Sequence, residues 1–434
     1  MEKISAIRGM NDLLPDKSRV WRNLEKKIAT VFTNYGFDEI RTPILERTEL
    51  FLRGLGEVTD IVEKEMYSFE DRLNGKTYSL RPENTAAVVR ASVQHSLTYN
   101  EPKKLWYYGP MFRHERPQAG RYRQFFQFGV EMLGYDSFES ELELILMCNA
   151  VWRSIGLDGN LRPRLKLNSI GTSEERSSYV KALGEFFQKH VGVLDNENLK
   201  RLTRNPLRIL DSKNDNLVKL KDEAPKITTF LGNASKTHFE NLLSLLDGHQ
   251  INYEVDLKLV RGLDYYNSTV FEWKVSGFGA QDTICGGGRY DALVPILGGA
   301  PTGACGFAIG MERLVEIFEA NSHERKETFV DLYFAHTGRD AKVIAIKLAE
   351  QVRKVGISVK VDLTDASLKT QVKRAFRNSA EFLAIFGEEE LKTGSVSVRW
   401  LSREEGEAHQ RKVPYGEMVE FLRKIKNKSG NKSQ

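Results

Sequence analysis

Arginines, carboxylates and amides recur at short spacings in FRHERPQAGRYRQFFQFGVE, residues 112–131. On a strand, Arg113 and Glu115 fall two residues apart and face one side. A loop containing Gly and Pro then carries Arg116, Gln118, Arg121 and Arg123, and a return strand brings Gln127 and Glu131. Facing strands of this kind hold a guanidinium for phosphate and carboxylates for amines in one cleft. The same residues also suit a solvated basic hairpin. Further along, Arg313 opens a helix after the glycine-rich PTGACGFAIG. Glycines let the backbone approach a ligand closely, and an arginine beside them suits phosphate. Such strand–helix junctions are common, and alone this one says little. The most distinctive string is LVRGLDYYNSTVFEW, residues 259–273, in which Arg261, read as a buried strand arginine beside Asp264, has the makings of a structural ion pair.

Other chemistries find little support. The GGGR at residues 286–289 is not a phosphate-binding P-loop, because no Lys-Ser/Thr follows it. His114 lies beside Glu115 without an HExxH, and His95, His190, His238, His249, His323, His336 and His409 are scattered, so no dedicated protein metal site is expected. Cys148, Cys285 and Cys305 form no CxxC pair, which argues against a disulfide framework and points to the reducing cytoplasm. No apolar run approaches the roughly 18 residues a membrane span needs, and MEKISAIRGMNDLLPD has no secretory apolar core.

The elements that must position these residues follow from periodicity. Leu24, Ile28, Val31 and Phe32 have helical spacing, Gly36 stops that helix, and GFDEIRTPILE reads as a strand broken by Pro43. TYSLRP is a short strand running into a helix with Asn84 or Thr85 near its N-cap. KLWYYGPMFRHE and RQFFQFGVEML are β-rich, and residues 138–152 form another helix. Residues 172–249 are polar and helix-patterned, with a loop-like RNPLRILDSKNDN in the middle. Strand character returns at Ile251 and runs through LVRGLDYYNSTVFEWKV, before glycine-dense loops and the helix GMERLVEIFEAN. After a charged linker at residues 323–327, FVDLYFAHTG, ISVKVDL and EFLAIFG are strands alternating with the helices RDAKVIAIKLAEQVRKVG and SLKTQVKRAFRNSA. Antiparallel hairpins among helices make the first domain α+β; the βαβ alternation makes the last α/β with a largely parallel or mixed sheet.

With 434 residues, two or three domains are expected. The net charge of +5 is uneven: residues 326–434 hold 21 Lys+Arg against 15 Asp+Glu, leaving 43 against 44 before them. A basic domain beside a neutral one suits a polyanion such as nucleic acid. A solubilising lysine-rich tail from Arg423 onward explains part of the excess.

Taken together, a strand ending at Pro43, then FRHE, then GFAIGMERL resemble in order and separation the three signature motifs of class II aminoacyl-tRNA synthetases. LRPENTA (residues 80–86), LVRGLDYYNSTVFEW and CGGGRYDALV (residues 285–294) resemble the histidyl-tRNA synthetases within that class. The resemblance spans essentially the whole chain, RGMNDLLP included; one departure is Asn84, where many bacterial relatives carry glycine.

The resemblance implies a set of roles. Arg113 would grip the ATP α-phosphate and the amino-acid carboxylate, Glu115 the adenine amino group and Arg313 the γ-phosphate, with Arg121 a further ATP contact. Arg261 would meet the α-phosphate during adenylate formation, with Mg²⁺ bridging the remaining phosphates. Glu131 would take an imidazole N–H and the Tyr266 hydroxyl the other nitrogen. Glu83, Thr85 and Gln127 would hold the α-amino group, and Tyr265 and Tyr290 form walls. Neutral imidazole offers one donor and one acceptor, so a selective pocket needs the complementary pair. Such a site rejects wrong side chains by a factor on the order of 10⁴, which makes an editing domain unnecessary.

The expected protein is therefore a homodimer joined near Pro43. Its α+β catalytic domain, residues 1–325, is built on a mostly antiparallel sheet with a helical insertion at about 171–250; residues 326–434 form a C-terminal α/β anticodon-binding domain. It would use ATP, Mg²⁺, L-histidine and tRNA(His). Arg116, Gln118 and Arg123 would meet the acceptor end, and the insertion would clasp the acceptor stem. A non-catalytic paralogue, of the kind that partners ATP phosphoribosyltransferase, typically lacks the last domain and the phosphate-gripping arginines. Here Arg113, Arg261 and Arg313 are all present. A tRNA-sensing regulatory module would carry a kinase, for which the sequence has no signal.

Overall fold

The computed structural model describes residues 3–430 apart from 57–58, 60, 119, 160, 211, 213, 278–281, 322–329 and 402–409. The chain divides into two compact units, Met1–Ser322 and His323–Gln434. The charged linker at residues 323–327, the expected boundary at 325/326, His323 and His409 lie outside the described residues.

In chain order the strands of the first unit are β1 Asp38–Glu39, β2 Leu45–Arg47, β3 Tyr67–Glu70, β4 Thr77–Leu80, β5 Lys103–Phe112, β6 Gln124–Leu133, β7 Arg164–Ser169, β8 Tyr253–Val255, β9 Asn267–Lys274, β10 Thr283–Arg289 and β11 Ala304–Gly310. Eight form one sheet in the order β1-β5-β6-β11-β10-β9-β7-β8, and β2-β4-β3 form a small second sheet. Every pairing in the large sheet is antiparallel except β1–β5 and β7–β8 at its edges. Pro43 lies between β1 and β2, where the chain leaves the large sheet for the small one. Proline cannot donate to a ladder, which is why the expected strand breaks there.

Strand alternation sorts side chains to the two faces. On β6, Phe128, Val130 and Met132 join the main core, under Pro15–Asn34 and Glu139–Ser154, while Gln127 and Glu131 point to the other side. On β9 and β11, Phe271, Trp273, Phe307 and Ile309 take the core side. Burying each such large apolar side chain contributes about 1.5–3 kcal/mol. Opposite them stand Glu272, Gly306, Ala308 and Gly310, lining a cleft. The helices Thr48–Leu55 and Thr85–Gln94 pack a second core on that face, with Phe51, Val88 and Tyr107.

Three strand expectations are corrected. First, β5 stops at Phe112, so Arg113 and Glu115 are not on it. The His114 N–H turns away to Glu65 O at 2.6 Å and the Glu115 N–H closes on Arg113 O at 2.8 Å, which ends the ladder. Second, β8 ends at Val255 and β9 starts at Asn267, so Arg261 sits on a loop rather than a buried strand. A turn in which Leu259 N–H donates to Asp256 O at 2.8 Å breaks the run. Third, the glycine-dense stretches are strands, β10 and β11, not loops. Their glycines are required by what stands over them. The helix after LRP starts as expected, with Asn84 at its N-cap at φ −121°, a value that needs no glycine. Its amide oxygen accepts from Thr42 Oγ1 at 2.6 Å and from Arg81 Nη1 at 3.1 Å.

The insertion opens on a capping box, Thr172 with Glu175, at the head of Ser173–Gln188. It has its own core of Tyr179, Leu183, Phe187, Ile209, Leu217 and Ile227. The last helix of this region, Asn233–Gly248, instead turns Leu242 and Leu246 into the main core.

The second unit holds β12 Val330–His336, β13 Val359–Val361, β14 Ala380–Phe386, β15 Ser395–Trp400 and β16 Gln410–Pro414 in the order β13-β12-β14-β15-β16. The first three are parallel, and β15 and β16 extend the sheet antiparallel. Helices Arg339–Arg353 and Leu368–Arg377 make the crossovers between the parallel strands.

Candidate active site

The cleft on the small-residue face has a volume of about 390 Å³ and brings together Arg113, Glu115, Arg121, Arg261 and Arg313 with Glu83, Thr85, Gln127, Glu131, Tyr265, Tyr266 and Tyr290. Its floor exists because side chains are missing from it. A Cβ on Gly306 would lie 2.1 Å from Glu131 Oε2, and one on Gly286 would lie 2.4 Å from Arg261 Nη2. On Gly129 it would strike the Tyr107 ring at 2.2 Å. Three strand glycines, each costing some strand stability, thus open three side-chain positions.

At the closed end, Glu131 is 1% exposed. Its Oε1 accepts from Thr85 Oγ1 at 2.7 Å, and its Oε2 accepts from the Tyr290 hydroxyl. Burial pushes its carboxyl up to about 8, against the pull of those two donors. Glu83, also buried, caps the helix Thr85–Gln94 by accepting from the Thr85 N–H at 2.7 Å and the Ala86 N–H at 3.0 Å; burial raises it too. The helix's positive N-terminal end offsets part of that cost. Gln127 Oε1 is buried with no hydrogen-bond partner, an acceptor awaiting a donor. Three rings enclose this end: Tyr265 lies 4.6 Å from Tyr266 and 5.5 Å from Tyr290 between centroids. Two carboxyl groups, an open amide oxygen and phenols in a buried pocket suit a small cationic ligand carrying several N–H donors.

The open end is cationic. Arg113 Nε donates to Pro82 O at 2.9 Å, and its guanidinium lies 5.2 Å over the Phe125 ring. Arg313 Nη1 donates to Thr283 O at 2.5 Å, and Arg121 pairs with Glu115 at 3.1 Å. Arg261 does not pair with Asp264; it pairs with Glu272 on β9, and stands 5.9 Å over the Tyr266 ring. Burial opposes the charge on Arg261, but Glu272 outweighs it and raises its proton affinity. Glu272 Oε2 also accepts from Thr283 Oγ1 at 2.9 Å, and Lys274 follows at 3.4 Å. The sequence reading missed Glu272, although its place between the apolar Phe271 and Trp273 marks it as facing the cleft. It missed Tyr107, Thr283 and Asp282 on the cleft wall as well.

Arg116 and Gln118 are exposed and, with Arg123, do not line the cleft. Arg123 is tied down instead, its N–H donating to Gly9 O at 2.7 Å and its Nε to Glu115 O at 3.3 Å. Arg289 of the GGGR run is a framework residue, bonded to Glu141 at 2.6 and 3.0 Å and to Tyr135 O and Ser137 O. Among the described residues no group of three or more His, Cys, Asp or Glu could hold a metal ion, and no helix is long and apolar enough to cross a membrane.

Residues 9–314 match the family model described as histidyl-tRNA synthetase, and residues 332–425 match one described as an anticodon binding domain. The chain is 48% identical over 429 residues to the histidine–tRNA ligase of Burkholderia vietnamiensis, covering 97% of this chain and 96% of that one. It is 46% identical over the same shares to the ligase of Paraburkholderia xenovorans. The structure of the apo S. aureus histidyl-tRNA synthetase superimposes with a TM-score of 0.78 at 34% identity, covering 97% of this chain and all of that one. A structure from Bacillus halodurans described as an ATP phosphoribosyltransferase regulatory subunit/histidyl-tRNA synthetase has a TM-score of 0.63 at 22% identity, over 89% of this chain and 98% of that one, and shares the fold.

Proposed function

The chain belongs to the histidyl-tRNA synthetase family, and from that premise we propose that this cleft joins L-histidine to ATP and passes it to tRNA(His). The observation that carries the reading is one cleft holding both a buried acid–phenol pocket around Glu131 and the three guanidinium side chains of Arg113, Arg261 and Arg313.

The histidine carboxylate attacks the α-phosphorus of ATP in line; the bond to the β-phosphate oxygen breaks, leaving histidyl-adenylate and pyrophosphate. No side chain acts as nucleophile. Glu131 and the Tyr266 hydroxyl hold the two imidazole nitrogens, and Glu83, Thr85 and the open Gln127 oxygen hold the α-amino group. Tyr265 and Tyr290 wall the ring. Arg113 bridges the carboxylate and α-phosphate, and Arg261 meets the α-phosphate charge that grows in the transition state. Glu115 takes the adenine amino group, Arg121 supports ATP, and Arg313 lies along the γ-phosphate. Mg²⁺ bound with ATP would neutralise phosphate charge here, and the Glu272 and Asp282 carboxylates on the cleft wall, hard oxygen donors, are the protein groups that would hold it.

In the second step the terminal ribose hydroxyl of tRNA attacks the adenylate carbonyl and AMP leaves. The exposed Arg116 and Gln118, with Arg123 behind them, offer donors to the acceptor end. The insertion would clasp the acceptor stem, and the C-terminal domain the anticodon. A homodimer is proposed because Ile4, Ile7, Leu14, Ile44, Leu45 and Phe69, on either side of Pro43 in sequence, are all exposed large apolar residues. The compartment proposed is the cytoplasm, where the buried free thiols stay reduced.

The test is histidine-dependent ATP–pyrophosphate exchange with Mg²⁺. Exchange that needs histidine and is lost with EDTA supports the reading; a folded, Mg²⁺-supplied sample without exchange overturns it.

A further inference from the structure

The loop at residues 259–266 carries Arg261 toward the phosphate end of the cleft and Tyr265 and Tyr266 toward its closed end. Its own backbone does little to hold it. Apart from a single turn at Asp264 and Tyr265, no main-chain to main-chain hydrogen bond of residues 260–266 is found among the described residues, in contrast to the strands on either side. The rings of Tyr265 and Tyr266 are packed, but the stretch between Leu259 and Tyr265 is partly or fully exposed.

Three side chains of the insertion hold that stretch from behind, at alternate residues. Arg208 Nη2 donates to Gly262 O at 2.5 Å. Asn205 Nδ2 donates to Asp264 Oδ1 at 3.2 Å. Arg176 donates to Tyr266 O. All three come from the insertion: Arg176 from the first turns of Ser173–Gln188, Asn205 from the cap of Asn196–Arg204, and Arg208 from Leu207–Leu210. Asp264 is partly buried, and burial raises its carboxyl against the pull of Arg208 and Arg176. A cavity of about 240 Å³ lies behind the loop, lined by Arg176, Arg208, Arg261 and Asp264. The loop is thus a thin wall with the cleft on one side, a cavity on the other, and a clamp of two arginines and an amide from a separately cored subdomain.

We infer that Arg176, Asn205 and Arg208 are positioning residues for amino-acid activation: the insertion sets the place of Arg261 and Tyr266 even when no tRNA is bound. This rests on the proposed synthetase reading. The clamp acts at two distinct points. Arg208 holds the carbonyl next to Arg261, which serves the phosphate, and Arg176 holds the carbonyl of Tyr266, which serves the imidazole. A mere tether between insertion and body would have no such division.

The experiment is steady-state ATP–pyrophosphate exchange without tRNA, on the full chain, with thermal unfolding measured in parallel. Arg208→Ala is expected to lower kcat about tenfold while the histidine KM stays within about twofold. Arg176→Ala is expected to raise the histidine KM about tenfold with the smaller effect on kcat. Arg208→Lys, which keeps a charged donor, should recover at least half of the logarithmic loss. Asn205→Ala removes a neutral donor to Asp264 and the Oδ1 that accepts from the Leu207 N–H at 3.2 Å, and covers the case in which an arginine variant does not fold; about threefold lower kcat with Tm lowered by no more than about a few degrees is expected. Folded variants with wild-type kcat and KM overturn the inference, as does a uniform loss in both parameters that follows the folded fraction. Absence of exchange in the wild-type chain would overturn the synthetase reading instead.

Discussion

The Arg261 guanidinium lies flat against Gly286, so close that a single added methyl group would stand 2.4 Å from Nη2 and 2.6 Å from Cζ. Neither residue is interpretable alone. The glycine is a strand residue with no turn to make, and the arginine has left the aspartate beside it for Glu272. Together they fix where a positive charge enters the cleft.

Gly286→Ala therefore tests the arrangement without touching a polar group. The clashing atoms are the far end of a flexible side chain, so Arg261 moves rather than the sheet. Stability should change by less than about 1 kcal/mol, since alanine is the milder strand residue. Adenylation should fall at least about tenfold, because a displaced cation no longer meets the transition-state charge. Urea unfolding and pyrophosphate exchange on one preparation check both; unchanged exchange would show that the position of Arg261 does not matter.

Arg261→His replaces the permanent cation with a shorter side chain that is mostly neutral at neutral pH. Adenylation in single-turnover experiments should slow by about two orders of magnitude or more, while histidine affinity measured by calorimetry changes by less than about threefold. Equal losses in both would mean that Arg261 serves the amino acid instead.

Gly306→Ala is the harsher glycine change. Its Cβ would lie 2.1 Å from Glu131 Oε2 and 2.3 Å from the Val130 carbonyl oxygen, and a backbone atom cannot swing away. Overpacking of this kind costs about 1–3 kcal/mol. A lowered Tm together with lost histidine binding is expected; normal binding at full stability would place histidine elsewhere.

The Glu131 carboxyl should make the ligand-free protein less stable as pH rises. Its proton affinity in the fold, about 8, lies above the 4.5 of an unperturbed glutamate. The folded state therefore holds an extra proton between those values. Its contribution is complete below about 4.5 and is lost progressively as pH climbs to about 8, by at most about 1.4 kcal/mol per unit. Glu131→Gln removes this titration while keeping the shape. The difference in urea-unfolding free energy between wild type and variant should shift in the variant's favour from pH 5.5 to 7.5. Glu312, also raised to about 8 by burial, is common to both proteins and cancels. A difference that does not change with pH would show Glu131 ionised throughout.

Much of this site is legible in one dimension. Period-two alternation on β6 places Gln127 and Glu131 opposite Phe128 and Val130, and strand geometry makes that inevitable once the strand is recognised. LRPENTA delivers Glu83 and Thr85 to a helix N-terminus. The order of the motif strings, with LVRGLDYYNSTVFEW among them, identifies the family that the comparisons establish.

What the amino-acid sequence by itself determined, then, is the family, the two-part architecture and the residues with the right chemistry. The tertiary structure alone decided their partners. Arg261 turns from its sequence neighbour Asp264 to Glu272 because a loop, having no fixed period, lets a side chain take whichever anion the fold brings near. Gly286 and Gly306 prove to be the floor of a cleft rather than loop residues, since what a missing side chain leaves room for is known only when the facing strand is in place. The clamp from Arg176, Asn205 and Arg208 joins residues about 54 to 90 positions apart, and no local pattern encodes a contact made only after two separately packed cores meet.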